Sequence, residues 1–151
     1  MFQSILVVCT ANICRSPVAE ALLKARLPRL RIESAGIAVG KFVGHGAAPL
    51  AQELAEADGL DLSAHHAKQI NRDMIEAADL ILVMSEGQRQ KISELSPAAT
   101  GKTMLFGRWL SGGGAHGYAI PDPYRKSREA FTHVHQLLIS AADTWRSKLG
   151  D

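Results

Sequence analysis

Cys9 and Arg15 stand six residues apart in the segment Val8-Cys9-Thr10-Ala11-Asn12-Ile13-Cys14-Arg15-Ser16-Pro17. A thiol and a guanidinium at that spacing can serve one oxyanion: the sulfur attacks, and the planar fork of the arginine holds two of its oxygens. A tight loop here, between a strand and a helix, can turn successive backbone N–H groups inward as an anion nest, reinforced by the positive end of the helix. Cysteines in such settings are activated thiols, with pKa values of ~3.5–7.5. Ser16 can donate its hydroxyl to the thiolate while its oxygen caps the helix, with Pro17 as the first helical residue. These are the parts of nucleophilic attack on phosphorus. No cysteine follows Cys14 in the remaining 137 residues, which excludes a disulfide-stapled fold and points to local chemistry. Cys14, on the same short loop, is placed to act as a redox partner of Cys9.

The flanks supply the scaffold. Ile5-Leu6-Val7-Val8 suits a strand covered on both faces, and a helical pattern runs from Ser16-Pro17 through Leu27. Arg31 to Ile37 reads as a second strand ending at Gly36, after which Gly40, Gly44 and Gly46 punctuate a loop. Pro49 starts a helix that closes near Gly59, and the polar stretch Ser63 to Gln69 leads to a short helix over Asn71 to Ala78. Asp79 to Met84 reads as a buried strand, Glu86 to Leu95 as a helix and Thr103 to Phe106 as a fourth strand. A glycine-rich stretch, Gly107 to Gly117, leads into Ile120-Pro121-Asp122-Pro123-Tyr124. The last helix runs from Ser127 to about Leu149, its apolar stripe made by Phe131, Val134, Leu138, Ala141, Trp145 and Leu149. Alternating strands and helices predict an α/β fold, a parallel sheet with helices on both faces, in a single domain over residues 1–151.

Composition narrows the function. With 46% hydrophobic and 21% charged residues the chain is neither disordered nor collagen-like. Seventeen Lys and Arg against fifteen Asp and Glu leave a net charge of +2, too small and too evenly spread for nucleic acid or an anionic membrane. No apolar run approaches the ~20 residues of a spanning helix. The first cation is Arg15, so no basic region precedes the first apolar run, and a cytoplasmic protein without membrane insertion is expected. His133 and His135 face different ways on their helix, and the expected mechanism needs neither metal nor cofactor.

Cys9 to Pro17 resembles the active-site loop of the low-molecular-weight protein tyrosine phosphatases. Asp122-Pro123-Tyr124 resembles that family's general-acid loop, and Ser34-Ala35-Gly36 and His65-x-Ala67-Lys68-Gln69-Ile70 are similar to two further family segments. The resemblance implies a four-stranded parallel sheet and hydrolysis of phosphotyrosine through a cysteinyl-phosphate, with phosphate as product and inhibitor. It implies that Cys9 is the nucleophile, that Arg15 clamps phosphate, and that Asp122 acts first as acid and then as base. Thr10, Ala11, Asn12, Ile13, Cys14, Arg15 and Ser16 would form the phosphate-binding loop. Ser34 and His65 would support Asn12, and Ile13 and Tyr124 would flank the incoming ring. Ala11 stands where many members have glycine, restricting any left-handed backbone required there, and Ser85 stands where an acidic residue is common. Arg125 follows Tyr124, where eukaryotic members have a second tyrosine. The run Asp122 to Ser127 is similar to the bacterial branch that accompanies tyrosine autokinases of capsule and exopolysaccharide export, so such a kinase is the expected partner.

Three other functions fit less well. Arsenate reductases with this loop relay oxidation through downstream cysteines, absent here. Protein arginine phosphatases typically carry threonine where Ile13 stands, and a branched apolar side chain suits an aromatic ring better than a guanidinium. A phosphotyrosine-binding module without catalysis would not need both Cys9 and Asp122.

Overall fold

The computed structural model describes residues 2–150. Four parallel strands form the sheet: β1 (Ser4–Cys9), β2 (Arg31–Gly36), β3 (Leu80–Val83) and β4 (Thr103–Leu105), in the order β2-β1-β3-β4. Cys9 pairs with Gly36 at one flank of β1, and Val8 pairs with Val83 at the other. Between them run α1 (Arg15–Arg26), α2 (Pro49–Ala57), α3 (Arg72–Ala77) and α4 (Glu86–Leu95), and α5 (Arg128–Leu149) closes the chain. Short 3-10 turns occupy Gly40–Phe42 and Pro97–Lys102.

The pleat of β1 explains why its sequence lacks polar alternation. Ile5, Val7 and Cys9 join Leu80 and Leu82 in a core with Leu22 of α1 and Leu138 of α5. Leu6 and Val8 point the other way, with Ile81 and Val83, onto Ile75 of α3 and Ile92 of α4. Both faces of the sheet are therefore covered, as a parallel sheet requires. On α5 the expected stripe is buried from Phe131 to Trp145, Leu149 is partly buried, and the Trp145 indole N–H donates to the Phe106 carbonyl at 2.7 Å. No helix among the described residues is long and apolar enough to cross a membrane.

Asn71, Ser85 and Ser127 cap α3, α4 and α5 with side-chain oxygens. The start of α1 departs from expectation. Cys14 occupies the cap position without a side-chain cap bond, Ser16 lies inside the first turn, and Pro17 is the third helical residue. Ser16 does not cap the helix because its hydroxyl is engaged by Cys9 and Asn12.

β1 leads across the sheet's reversal of strand order: β2 lies on one side of it and β3 on the other. Loops at the carboxyl end of such a switch point diverge and leave a crevice. Cys9 is the last residue of β1, at that crevice.

Candidate active site

The chain passes from β1 to α1 in five residues, 10–14. The turn is taken at Asn12, whose φ of 60° lies in the left-handed region that asparagine tolerates. Ala11 is not left-handed, so the expected restriction at that position does not arise. Gly36 is required for the loop's close approach to β2: a Cβ there would lie 2.7 Å from the Thr10 carbonyl oxygen.

Asn12 is fully buried and its hydrogen bonds fix the direction of a whole relay. Its Oδ1 accepts from the Lys68 backbone N–H at 3.0 Å, so the other terminus is the amide nitrogen. That Nδ2 donates to Ser16 Oγ at 2.7 Å and to Ser34 Oγ at 3.0 Å. Ser34 in turn donates to Glu20 Oε1 at 2.5 Å. Ser16, already an acceptor, has its own hydrogen free for Cys9 Sγ, 2.9 Å away. His65 Nε2 lies 2.6 Å from the Asn12 carbonyl oxygen, which only accepts, so this nitrogen carries the hydrogen. The relay holds the loop and presents a hydroxyl donor to the sulfur.

Arg15 is 5% exposed. Its Nη1 donates to the Ile120 carbonyl at 2.8 Å, and its Nη2 lies 3.4 Å from Thr10 Oγ1 and 3.7 Å from Asp122 Oδ2. Its Nε is buried without a protein partner among the described residues, a donor left for an anion. Asp122 accepts the Tyr124 backbone N–H at 3.1 Å, so it both shapes its own turn and faces the guanidinium. Gln88 braces the far side: it accepts the Met84 N–H at 2.7 Å and donates to Thr10 Oγ1 at 3.2 Å.

A pocket of about 180 Å³ opens over this loop, lined by Cys9, Ile13, Arg15, Phe42, Asp122 and Tyr124 among others. The rings of Phe42 and Tyr124 meet edge to face, centroids 5.6 Å apart, as an aromatic wall. Cys14 is buried beside it. Burial first, then the charges of Cys9 and Asp122, push its thiol up to about 12, against the smaller opposing pull of Arg15.

The structure thus gathers Cys9, Thr10–Ser16, Ser34, His65, Asp122 and Tyr124 around one pocket and its support. Glu20, Gln88 and the Phe42 wall were not expected from sequence. Glu20 lies one helical turn after Ser16, a spacing that puts both on one helix face. Gln88 carries no such signal, its partner Thr10 being 78 residues distant.

The model of the family "low molecular weight phosphotyrosine protein phosphatase" matches residues 4–151. The low molecular weight protein-tyrosine-phosphatase Wzb of Escherichia coli K12 is 46% identical over 149 residues, covering 99% of this chain and 97% of that one. Among solved structures, Vibrio vulnificus Wzb in complex with benzylphosphonate superposes with a TM-score of 0.92 at 42% identity, covering 99% of this chain and 100% of that one. The YwlE arginine phosphatase from Geobacillus stearothermophilus shares the fold at 31% identity, with a TM-score of 0.88 over 99% of this chain and 93% of that one. Matched end to end by the family model and by tyrosine phosphatases of bacteria, the chain belongs to the low molecular weight phosphotyrosine protein phosphatases.

Proposed function

We propose that the enzyme hydrolyses phosphotyrosine in two steps through a cysteinyl-phosphate on Cys9. The observation that carries this reading is the meeting of Cys9, Arg15 and Asp122 in one pocket with a buried, unpaired Arg15 Nε. In the first step the Cys9 thiolate attacks phosphorus, the bond to the tyrosyl oxygen breaks, and Asp122 gives its proton to the departing phenolate. In the second, the Asp122 carboxylate takes a proton from water as that water attacks phosphorus; the P–S bond breaks and inorganic phosphate leaves. Arg15 and the inward N–H groups of Thr10 to Arg15 hold the equatorial oxygens in both steps, where fixed donors act without reorganising. Asn12, Ser16, Ser34 and His65 keep the loop in shape. Ile13 and Tyr124 flank the substrate ring, which favours an aromatic leaving group over a guanidinium.

Once peroxide has oxidised Cys9 to the sulfenic acid, Cys14 serves as its redox partner: the Cys14 sulfur attacks the Cys9 sulfur, the S–O bond breaks, water leaves with the thiol proton, and the disulfide spares Cys9 further oxidation. The natural substrate on this reading is a tyrosine autokinase of polysaccharide export, met in the cytoplasm, with phosphate as inhibiting product. The similarity of Asp122 to Ser127 to the bacterial branch supports it. Turnover of phosphotyrosine, phosphoserine and phosphoarginine peptides, each with wild type and Cys9→Ser, tests the core of the reading. Expected is hydrolysis of phosphotyrosine alone, with Cys9→Ser inactive yet still binding the ester through the nest and Arg15. Appreciable turnover by Cys9→Ser overturns the covalent step, and a preference for phosphoarginine overturns the substrate class.

A further inference from the structure

The aromatic wall of the Cys9 pocket has two sides. Ile13, Phe42 and Tyr124 line that pocket on one side. On the other they line a groove of about 340 Å³, completed by residues 45–49. Ile13, Ala47, Ala48 and Pro49 present carbon to it, and no carboxylate, lysine or arginine contributes to its lining. Several polar backbone groups here are paired within the protein. Ala48 N–H donates to the Ile13 carbonyl at 2.8 Å, the His45 carbonyl accepts from Ala67 N–H at 2.8 Å, and the Ala47 carbonyl accepts from Gln52 Nε2 at 2.8 Å. The first of these bonds ties the start of α2 to the phosphate loop, so groove and pocket are held in one frame. Tyr124, shared by pocket and groove, is 38% exposed.

We propose that this groove is a second substrate subsite, which takes an aliphatic side chain of the residue directly before or after the phosphotyrosine. The inference rests on the phosphotyrosine reading of the Cys9 pocket. A tyrosyl ring lying along the wall brings the substrate backbone to its rim, and consecutive Cα atoms are only ~3.8 Å apart. The neighbouring side chain is then within reach of the far side. An aliphatic group gains from the largely apolar surface, whereas a carboxylate would leave water and meet no lysine or arginine there, His45 being the one basic side chain of the lining.

The test uses the full-length enzyme and peptides that share one phosphotyrosine in a glycine-serine frame. Leucine, glycine or aspartate is placed before it or after it. Leucine at one of the two positions is expected to raise kcat/KM about tenfold over glycine, the effect of burying part of an aliphatic side chain. Aspartate gives no gain. In Ala48→Phe, whose ring fills the groove, the leucine-to-glycine ratio falls close to one. Ala48→Leu lowers it less, so a poorly folding phenylalanine variant does not remove the test, and because each ratio is taken within one protein, a general loss of activity cancels. Three results overturn the subsite while leaving the pocket reading intact, provided the glycine peptide is hydrolysed: equal rates for leucine and glycine at both positions, a preference for aspartate, or a ratio unchanged in Ala48→Phe. Failure to hydrolyse any phosphotyrosine peptide overturns both readings.

Discussion

Replacing Cys14 by alanine removes an alkaline instability carried by the wild-type fold. The Cys14 thiol ordinarily titrates near 9.0, and in the folded chain burial, then the charges of Cys9 and Asp122, raise it to about 12. The folded state therefore holds this proton more tightly than the unfolded chain does. Below pH 8 the thiol is neutral in both states and contributes no pH dependence. As pH rises through 9.0 the unfolded chain releases the proton while the folded one keeps it, so stability falls until the folded thiol also ionises near 12. Between pH 8 and pH 10 this one group costs ~1.4 kcal/mol, the free energy of a tenfold ionisation of the unfolded thiol at one unit above its pKa. Urea unfolding at pH 8 and pH 10 measures it, with wild type and Cys14→Ala compared at each pH. The variant starts lower because it leaves a small cavity, but its drop between the two pH values is smaller by ~1.4 kcal/mol. Equal drops would refute the buried, protonated thiol.

Asp122→Ala slows single-turnover phenol release from phosphotyrosine by ~10²–10⁴, but far less from a nitrophenyl ester, whose anion departs unaided; equal factors for the two substrates count against Asp122 as the leaving-group acid. Asn12→Ala loses three side-chain hydrogen bonds, two buried and one part-buried, at about 1 kcal/mol each, and alanine at a left-handed position adds about 1 kcal/mol more. Urea titration measures the sum, and a total loss below ~1 kcal/mol contradicts the relay. Brief peroxide treatment inactivates wild type reversibly through a Cys9–Cys14 disulfide, and mass spectrometry of the reversible fraction detects the bridge; full recovery of Cys14→Ser after a dithiol shows that Cys14 does not protect. With its thiol held protonated, Cys14 closes that bridge faster as pH rises, which the rate of disulfide formation at pH 7 and pH 9 checks.

The strands were legible because burial on both faces writes itself as an unbroken apolar run. Ile5 to Val8 and Leu80 to Met84 have that form, and the structure covers both sides of each. The catalytic loop was legible because its parts are neighbours in the chain. Ser16 misled for the same reason: a hydroxyl at a helix start reads as a cap, and the local rule could not register the Asn12 amide reaching it from within the loop. Ala11 looked strained only while the left-handed turn was unassigned; it falls one residue later. Glu20 and Gln88 act through contacts with Ser34 and Thr10, which local sequence patterns do not encode. The aromatic wall needs Phe42 and Tyr124 from distant loops, and neither ring announces its partner.

The bond from Arg15 Nη1 to the Ile120 carbonyl spans 105 positions of the chain. During synthesis the Cys9 loop emerges well before the segment that carries Ile120 and Asp122. Until Ile120 and Asp122 have been made, the guanidinium has neither the carbonyl that orients it nor the carboxylate that faces it. A nascent chain therefore carries the Cys9 thiol before Arg15 is held in place, and the pocket is complete only once the Ile120 to Tyr124 segment has been made. A truncated product ending before Ile120 would retain the sulfur and lose the enzyme.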